Sequence, residues 1–543
     1  MPQFTVAALT AQYTTSALLT WLIFLPVIGA ALVMLLPPSR QYLARNLALT
    51  FSGGAVLLAS IAAGLLNWSA PGPYGAAIQL KQSILWIPSL NAHYFVGVDS
   101  LSMPLVLLTV GIMFFALVAS ARVEKSPKSY FALMLLLLAG LLGVFLSLDL
   151  LLFYVFFEVT LVPMYFLIGV WGGPRKEYAA IKFFLYTLLG SVCLLIVILG
   201  IYYYTRGLPG YPHGCLNLIQ LATDPHIRRL FAPGGVGAHF ASIAFWLLFV
   251  GFAIKLPALP LHTWLPDAHV EAPTAVSMVL AAVLLKMGGY GFLRVAYPLF
   301  PHQAILFFLP VGVIAVAGIL YGGLCAMAQR DLKRLVAYSS VSHMGYVLLG
   351  IAVMDAAGTS GSIFEMVAHG VSSAMMFFLV GVVYDRAHHR DIPRLGGLAT
   401  QMPSYWGFSV LGFLASMGLP GLCGFIGEIL VLFGTFQASQ TGSILMVATH
   451  GQAFWPLVIL GVLATLGILL TASYYVWTLQ RVFLGPPKAE HHHFPQLTGI
   501  EKLVLGPLGV AAVVLGILPG LVLLGPMEPA IAAVIQMLRS AVG

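Results

Sequence analysis

Charged residues are scarce in this chain. Asp, Glu, Lys and Arg make up 8% of its 543 residues and 60% are hydrophobic, whereas soluble domains carry roughly 25% charged residues. The composition therefore excludes an ordinary soluble enzyme or binding domain. Apolar runs of about 20 residues, the length that crosses a hydrocarbon core of about 30 Å, recur from residue 16 almost to the end. We predict an all-α integral membrane protein.

Cysteine is also rare. The four cysteines, at positions 193, 215, 325 and 423, lie far apart and match no disulfide or metal-ligand spacing. Iron–sulfur clusters, metal centres and disulfides are therefore not expected. The first apolar run has no basic segment before it and no cleavage motif after it, so we predict a retained membrane helix and not a signal peptide.

The apolar runs predict about fourteen transmembrane helices. We place them near residues 16–37, 46–68, 100–121, 130–148, 150–172, 180–204, 240–262, 272–296, 304–327, 331–352, 362–385, 404–435, 455–483 and 504–525. With the N-terminus outside, sixteen Lys and Arg residues fall on one side and six on the other, and three lysines within helices complete the 25. This bias predicts cytoplasmic basic loops and two outward-facing termini.

The net charge of +8 is explained by this orientation, and nothing indicates nucleic-acid binding. Two long stretches on the outer side, 69–99 and 205–239, are rich in Gly, Pro and Asn. We predict that both are loops.

Charged residues inside the predicted helices are the main functional signal, and they are Glu158, Lys182, Lys255, Lys286 and Glu428. A charge at bilayer depth costs several kcal/mol, so it usually has a partner and marks an ion or proton path. Lys182 lies only about one turn inside its helix. The alternative to a buried functional charge is therefore that its side chain extends to the lipid headgroups. For the other four the alternative is structural salt bridges.

Buried ion pairs contribute little net stability, which favours transport over a purely structural role. Desolvation favours the neutral form of Lys and Glu, whereas an opposite charge nearby favours the charged form. Making or breaking a Glu–Lys pair therefore moves a proton, and the charged residues predict a proton path.

Histidines extend this predicted path. His343 and His369 lie in hydrophobic helices beside serines, and a neutral imidazole relays protons; the alternative is two hydrogen-bonded core histidines. Four further polar residues are predicted to lie at the inner mouth, where they either take up protons or cap helix ends. They are His262, Asp267, His269 and Glu271. A tract at positions 491–493 is either a metal-binding site or a solvated linker.

Two helices are predicted to break at bilayer depth. Lys255 is followed by Leu-Pro-Ala-Leu-Pro, and Glu428 is preceded by Gly-Leu-Pro-Gly. A matching pair of broken helices indicates a transporter repeat. We predict two five-helix repeats, residues 130–300 and 301–485, with a broken helix in fourth place in each. Five helices is an odd number, so the repeats are inverted; residues 1–129 precede them, and a last helix and tail (486–543) follow.

Long motifs resemble a known family. The segments FYVFFEVTLVPMYFLIGVWGG, KLPALPLHTWLPDAHVEAPTAVSMVLAAVLLKMGGYGFLR, AQRDLKRLVAYSSVSHMGY and GLPGLCGFIGE are similar to the antiporter-like subunits of complex I, the proton-pumping NADH:quinone oxidoreductase. The resemblance covers about residues 90 to 485. Glutamate at 428, where related members usually carry lysine, favours the subunit M (chain 4) branch.

The resemblance implies a role for each buried residue. Glu158 and Lys255 look like the family's ion pair, and Lys182 like its modulator. Lys286 resembles the central proton-carrying lysine. Towards the exit side, His343 and His369 resemble relay positions, and Glu428 resembles the terminal proton donor or acceptor. It also implies a subunit that binds no cofactor or metal, in a complex that uses NADH, or ferredoxin in some relatives, and a quinone.

The implied partners are other membrane subunits, including paralogous antiporter-like subunits and a lateral helix from a neighbour, together with lipids. The implied location is the bacterial inner membrane, or the thylakoid membrane for a cyanobacterial chain. Two alternatives stay open: a subunit of a multisubunit sodium/proton antiporter, and a passive membrane scaffold.

Overall fold

The computed structural model describes residues 6–70, 74–488 and 494–541. Within these residues, thirteen helices are long and apolar enough to cross a membrane, and Met103–Ala119 and Cys423–Gln437 are shorter apolar helices. Each of the fourteen predicted helices has a counterpart, which confirms the membrane-embedded helical fold. The predicted histidine tract, His491 to His493, lies outside the described residues.

The N-terminal part contains three long helices and a hairpin. Its elements are α1 (Val6–Leu35), α2 (Ala44–Leu65), β1 (Gln79–Ile87), β2 (Ala92–Val98) and α3 (Met103–Ala119). The hairpin is antiparallel and falls in the stretch 69–99, which was wrongly predicted to be a loop. Strand formers such as Ile84, Trp86 and Tyr94 explain it. Ile84 and Trp86 are exposed, whereas Tyr94 contacts α1, where its hydroxyl and that of Thr20 lie 3.0 Å apart.

The next segment carries the first broken helix. Its elements are α4 (Pro127–Leu146), α5 (Leu150–Val159), α6 (Leu161–Trp171), α7 (Lys176–Thr205), α8 (Leu218–Thr223), α9 (Pro225–Phe231), α10 (Ala238–Lys255), α11 (Trp264–Glu271), α12 (Thr274–Val279), α13 (Lys286–Gly291) and α14 (Tyr297–Leu299). The short helices α8 and α9 lie in the stretch 205–239, so the prediction of a plain loop there was also wrong. Asn217 and Asp224 cap them by accepting backbone N–H groups.

Helices α12, α13 and α14 form one span, Thr274–Leu299. They are joined by π-helical turns at Leu280–Leu284 and Phe292–Ala296. Such turns are rare and often occur at functional sites. This span is buried along its whole length, so it forms the centre of the helix bundle.

The rest of the chain carries the second broken helix. Its elements are α15 (Pro301–Leu306), α16 (Phe308–Met327), α17 (Leu332–Ala352), α18 (Ala356–Ala387), α19 (Leu398–Gln401), α20 (Pro403–Ser416), α21 (Cys423–Gln437), α22 (Ile444–Ala448), α23 (Phe454–Phe483), α24 (Gly499–Ile517) and α25 (Gly525–Arg539). The predicted tail after residue 525 contains a further helix, α25. Its apolar residues Met527, Ile531 and Val534 are buried.

Both predicted helix breaks are present. The first helix stops at Lys255, and the chain resumes a helix only at Trp264, after Pro257 and Pro260. The second stops at Ser416 and resumes at Cys423. Gly418 and Gly421 lie in this second break with φ of +77° and +92°, a conformation that favours glycine.

Glycines bring α18 and α21 into close contact. A Cβ on Gly361 would lie 2.6 Å from the backbone nitrogen of Val431, and one on Gly427 would lie 2.8 Å from the Cα of Glu365. Small residues allow this approach of helix backbones within a membrane. The two helices therefore hold their inward-facing polar side chains in fixed register.

Candidate functional site

Lys286 is fully buried at the start of α13. Its Nζ donates a hydrogen bond to the carbonyl of Ala281 at 2.6 Å and lies 2.6 Å from Nδ1 of His369. Ala281 belongs to the preceding π-helical turn, so the irregular turn supplies one partner and α18 supplies the other. The predicted central lysine therefore contacts a predicted relay histidine directly.

The two relay histidines face each other. The ring centroids of His343 on α17 and His369 on α18 lie 5.4 Å apart, with an interplanar angle of 53°. Both side chains are buried, with 4% and 3% of their surfaces exposed. The structure thus brings together Lys286, His369 and His343 from three helices that are distant in sequence.

Two carboxylates end this line of polar groups. Nδ1 of His343 lies 3.1 Å from Oε1 of Glu428 and 3.4 Å from Oε1 of Glu365. Glu428 was predicted, whereas Glu365 was not. The set Lys286–His369–His343–Glu365–Glu428, which we call the buried polar line, crosses the interior from α13 to α21.

The serines beside the histidines have mixed roles. Ser342 donates to the carbonyl of Ile319 at 2.9 Å, and Ser339 accepts a hydrogen bond from Tyr475 at 2.9 Å. Among the described residues, the hydroxyl of Ser373 has no hydrogen-bond partner. Most of these hydroxyls therefore bind neighbouring helices, and Ser373 offers a free polar group beside His369.

The expected Glu158–Lys255 ion pair is not closed in this structure. Neither Glu158 Oε1 nor Lys255 Nζ has a hydrogen-bond partner among the described residues. Lys255 instead lies over the rings of Phe157 and Phe183, with its Nζ 4.9 and 5.8 Å from their centroids. The two charged groups sit at the broken end of α10 and in the last turn of α5.

Lys182 forms an ion pair with Asp267. Its Nζ donates to Asp267 at 2.7 Å, and Arg334 lies 3.8 Å from the other oxygen of that carboxylate. Asp267 lies on α11, directly after the broken segment that follows Lys255. Lys182 is thus tied to the second half of the broken helix.

The other predicted inner-mouth residues are spread between two environments. Glu271 accepts the backbone N–H of Arg175 at 2.9 Å and lines a cavity of about 340 Å³ together with Lys333 and Asp385. His269 is fully buried and stacks on Phe377, with ring centroids 4.2 Å apart. Both ring nitrogens of His269 lack partners among the described residues, so this histidine does not cap a helix end.

His262 lies apart from this cavity. Its ring packs against Tyr321, with centroids 5.2 Å apart. Only 2% of its surface is exposed. The broken segment after Lys255 directs the His262 side chain into the protein interior.

A second buried ion pair was missed from the sequence. Arg294, in the π-helical turn after α13, donates from Nη2 to Asp99 at 2.6 and 2.7 Å, and its Nε donates to Tyr290 at 3.0 Å. Burial raises the pKa of Asp99, but the Arg294 guanidinium outweighs it and holds the pKa of that carboxyl below its usual range. The pair anchors one end of the helix that carries Lys286 to the start of α3.

The described side chains also contain one group with metal-ligand spacing. Ligand atoms of His343, Glu365 and Glu428 all lie within 4.8 Å of one another. Imidazole and carboxylate are ordinary ligands of divalent cations, and they are equally the groups that bind and release protons. The connection of this group to Lys286 through His369 favours proton chemistry.

A helical membrane bundle with two broken helices and a line of buried, mutually contacting titratable groups defines the class of ion-translocating membrane proteins. Residues 147–453 match the family described as NADH:quinone oxidoreductase/Mrp antiporter, TM. Residues 77–148 match the family described as NADH-ubiquinone oxidoreductase chain 4, amino terminus.

Individual relatives agree. The chain is 39% identical over 523 residues to NADH-quinone oxidoreductase subunit M of Rhodobacter capsulatus, covering 94% of this chain and 95% of that protein. It matches a chain of respiratory complex I from Thermus thermophilus with a TM-score of 0.80 and 30% identity, covering 96% and 99% of the two chains. The chain belongs to the NADH-quinone oxidoreductase subunit M (chain 4) family.

The Mrp complex from a Dietzia species is also similar in structure. The TM-score is 0.76 with 26% identity, and the match covers 96% of this chain but 52% of that one. The fold is therefore shared with antiporter subunits, while the agreement in length and sequence is better with subunit M.

Proposed function

We propose that this chain is a proton-translocating module of a complex I-type oxidoreductase, driven by quinone reduction elsewhere in the complex. The observation that carries the proposal is the buried polar line, in which Lys286 contacts His369 and His343 contacts two carboxylates. Groups of this kind exchange protons readily. Burying them in a membrane protein is costly, so their presence indicates a proton path.

The roles along the line follow from its contacts. Lys286 is the central proton carrier, because its ammonium nitrogen lies 2.6 Å from an imidazole nitrogen that can accept its proton. His369 and His343 relay the proton, and Glu428 is the terminal donor or acceptor. Each transfer moves one proton between neighbouring nitrogen or oxygen atoms and needs no other co-reactant.

Glu158, Lys255 and Lys182 control this line. The pair Glu158–Lys255 is open here, and Lys182 is held by Asp267 at 2.7 Å. Closing the pair places a negative charge beside Lys255 and stabilises its charged form. Such a change alters the electric field that acts on Lys286 in the adjacent span, which couples the broken helix to the proton carrier.

The chain divides into two inverted repeats, residues 130–300 and 301–485, preceded by residues 1–129 and followed by residues 486–543. The broken helices α10/α11 and α20/α21 support this division, since each occupies the fourth position of its repeat. The basic loops face the cytoplasm and both termini face outward, as the distribution of Lys and Arg indicates.

The module works beside other membrane subunits, among them paralogous antiporter-like subunits and a lateral helix from a neighbour. NADH, or ferredoxin in related complexes, and a quinone react in other subunits, and this chain binds none of them. The location is the bacterial inner membrane, or the thylakoid membrane for a cyanobacterial chain.

The decisive experiment compares Lys286→Ala with the exposed-lysine control Lys502→Ala in the whole complex. Assembly is checked on native gels, and protons pumped per electron are measured in membrane vesicles. We expect Lys286→Ala to assemble but pump fewer protons, with the control unchanged. An assembled Lys286→Ala complex with normal pumping would falsify the proposal.

A sodium/proton antiporter is the second candidate, favoured by the structural similarity to the Mrp complex. It predicts proton transport that depends on sodium in reconstituted vesicles. A passive scaffold predicts instead that Lys286→Ala impairs assembly and pumping together.

A further inference from the structure

Glu365 is a buried carboxylate with no assigned role. It lies nine residues after the start of α18 at Ala356, about 14 Å along the helix axis at 1.5 Å per residue. Only 1% of its surface is exposed. It precedes His369 by four residues, so both side chains project from the same face of α18.

Glu365 and Glu428 meet at a single imidazole nitrogen. Nδ1 of His343 lies 3.4 Å from the first carboxylate and 3.1 Å from the second. One ring nitrogen carries at most one hydrogen, so it cannot serve both carboxylates at once. Oε2 of Glu365, Oε1 of Glu428 and both ring nitrogens of His343 make no hydrogen bond among the described residues, so the three groups lie within ion-pair distance without an aligned hydrogen bond.

The charge balance of this group determines its proton content. With both carboxylates ionised, even a fully protonated His343 leaves one uncompensated negative charge in a buried site, which is strongly unfavourable. Two carboxylates that approach each other share a proton because both cannot ionise. The group is neutral when it holds two protons beyond the neutral imidazole and the two carboxylates.

Other titratable groups surround the three side chains on every packed helix. They are Lys286 on α13, Tyr346 on α17, His369 on α18, Cys423 on α21, and Tyr474 and Tyr475 on α23. Of these, Lys286 is the cation, and its charge acts on Glu365 from beyond ion-pair distance, because its Nζ contacts the carbonyl of Ala281 and the ring of His369. Among the described residues, His343 is the only basic group in direct contact with the two carboxylates.

We propose that Glu365 is a second proton-holding carboxylate, which shares one proton with Glu428 across His343. This inference rests on the proposed function and adds a proton store at the far end of the buried polar line. When one carboxylate is removed, the other forms a neutral ion pair with protonated His343, and the shared carboxyl proton is lost.

The test uses Glu365→Gln, Glu428→Gln and the exposed-carboxylate control Glu124→Gln in the whole purified complex. Infrared difference spectra between each variant and the parent complex report the C=O stretch of protonated carboxyl groups. We expect each of the two buried variants to lose the same single carboxyl band, and the control to lose none. We also expect Glu365→Gln to lower proton pumping per electron to a similar extent as Glu428→Gln.

Three results would overturn the inference. The first is a carboxyl band that disappears in only one of the two buried variants, or in neither. The second is unchanged pumping in assembled Glu365→Gln. The third is a stoichiometric metal ion in the parent complex that either variant loses, which would replace the shared proton by a bound ion.

Glu365→Asp guards against a variant that fails to assemble. It keeps a carboxyl group, so we expect it to retain a displaced band and most of the pumping, and a complete loss of the band in an assembled complex contradicts the inference. Reduced pumping in Lys286→Ala together with a silent Glu365→Gln removes this inference alone. Normal pumping in Lys286→Ala removes the proposed function itself.

Discussion

The Asp99–Arg294 pair is expected to hold the C-terminal end of the Lys286 span in place. Replacement of Asp99 by Asn keeps an acceptor for the backbone amides of Leu101 and Ser102, which Asp99 Oδ1 accepts at 3.2 and 2.9 Å. It removes the charge that faces Arg294. A buried, positively charged guanidinium is then left with neutral partners only, which are the hydroxyl of Tyr290 and the retained side-chain oxygen at position 99.

The expected cost follows from the burial of both partners, whose side chains are 3% and 7% exposed. Removing one member of a buried pair costs about 3–5 kcal/mol. Since about 1.4 kcal/mol corresponds to a tenfold change in an equilibrium constant, local opening of this helix end becomes about 100-fold to 4,000-fold more frequent.

Amide hydrogen exchange measures such local opening. The assay compares peptides that cover residues 286–299 in the purified complex, with Asp99→Asn against the parent. The matched control is Asp355→Asn, because Asp355 caps α18 through the backbone amides of Ala357 and Gly358 and Asn caps equally well. We expect faster exchange in residues 286–299 only for Asp99→Asn.

A double variant separates the charge from the packing. Asp99→Asn combined with Arg294→Met removes both charges and keeps the acceptor for the backbone amides of Leu101 and Ser102, so we expect protection close to that of the parent. The reasoning is refuted if Asp99→Asn exchanges at the parental rate, or if the double variant is as unprotected as the single one.

Three other predictions concern the site and one helix end. Glu428→Gln should lower proton pumping per electron in an assembled complex, whereas Glu428→Asp should be milder because an ionisable group persists; equal loss in both variants contradicts this. Gly427→Ala should destabilise the α18–α21 contact by about 1–3 kcal/mol, because its Cβ would lie 2.8 Å from the Cα of Glu365, and thermal stability should not change in Gly111→Ala, which meets nothing within 4 Å. Burial raises the pKa of Asp149 to about 6 against about 3.9 in an unfolded chain, so the folded state binds the proton more tightly and local stability should rise as pH falls from about 6 to 4. Hydrogen exchange in residues 147–152, corrected for intrinsic rates, should show this rise, and Asp149→Asn should abolish it.

The helical spans were predictable because their apolar length is set by the bilayer and not by tertiary detail. The two breaks were predictable for a similar reason, since Pro257, Pro260, Gly418 and Gly421 act on the local backbone. The hairpin β1–β2 was not, because its alternation of residues is weak and its stability comes from packing on α1.

The site was predictable in part. Lys286, His343, His369 and Glu428 were each identified as charged or titratable residues in apolar surroundings, and the structure brings these four together. Glu365 was missed because its helix was expected to begin at residue 362, which placed the carboxylate at a helix end. The helix begins six residues earlier, at Ala356, and so moves Glu365 into the interior.

Pairing was the least predictable property. Lys182 binds Asp267, and Arg294 binds Asp99 across 195 residues. Partners so distant in sequence depend on how helices are arranged around one another, which no local pattern of residues specifies. The sequence identifies which side chains need a partner but not which partner they obtain.

The two π-helical turns that flank Lys286 have a consequence for helical phase. An α-helix turns by about 100° per residue, and each π turn holds one residue more than the α-helical turn it replaces. Deleting one residue within Leu280–Leu284 would therefore swing Lys286 by about 100° away from His369. A matching insertion within Phe292–Ala296 would restore the end of the span and leave only α13 rotated. The direction in which this lysine points is thus set by residue count along the span, so short insertions and deletions can redirect it where point substitutions cannot.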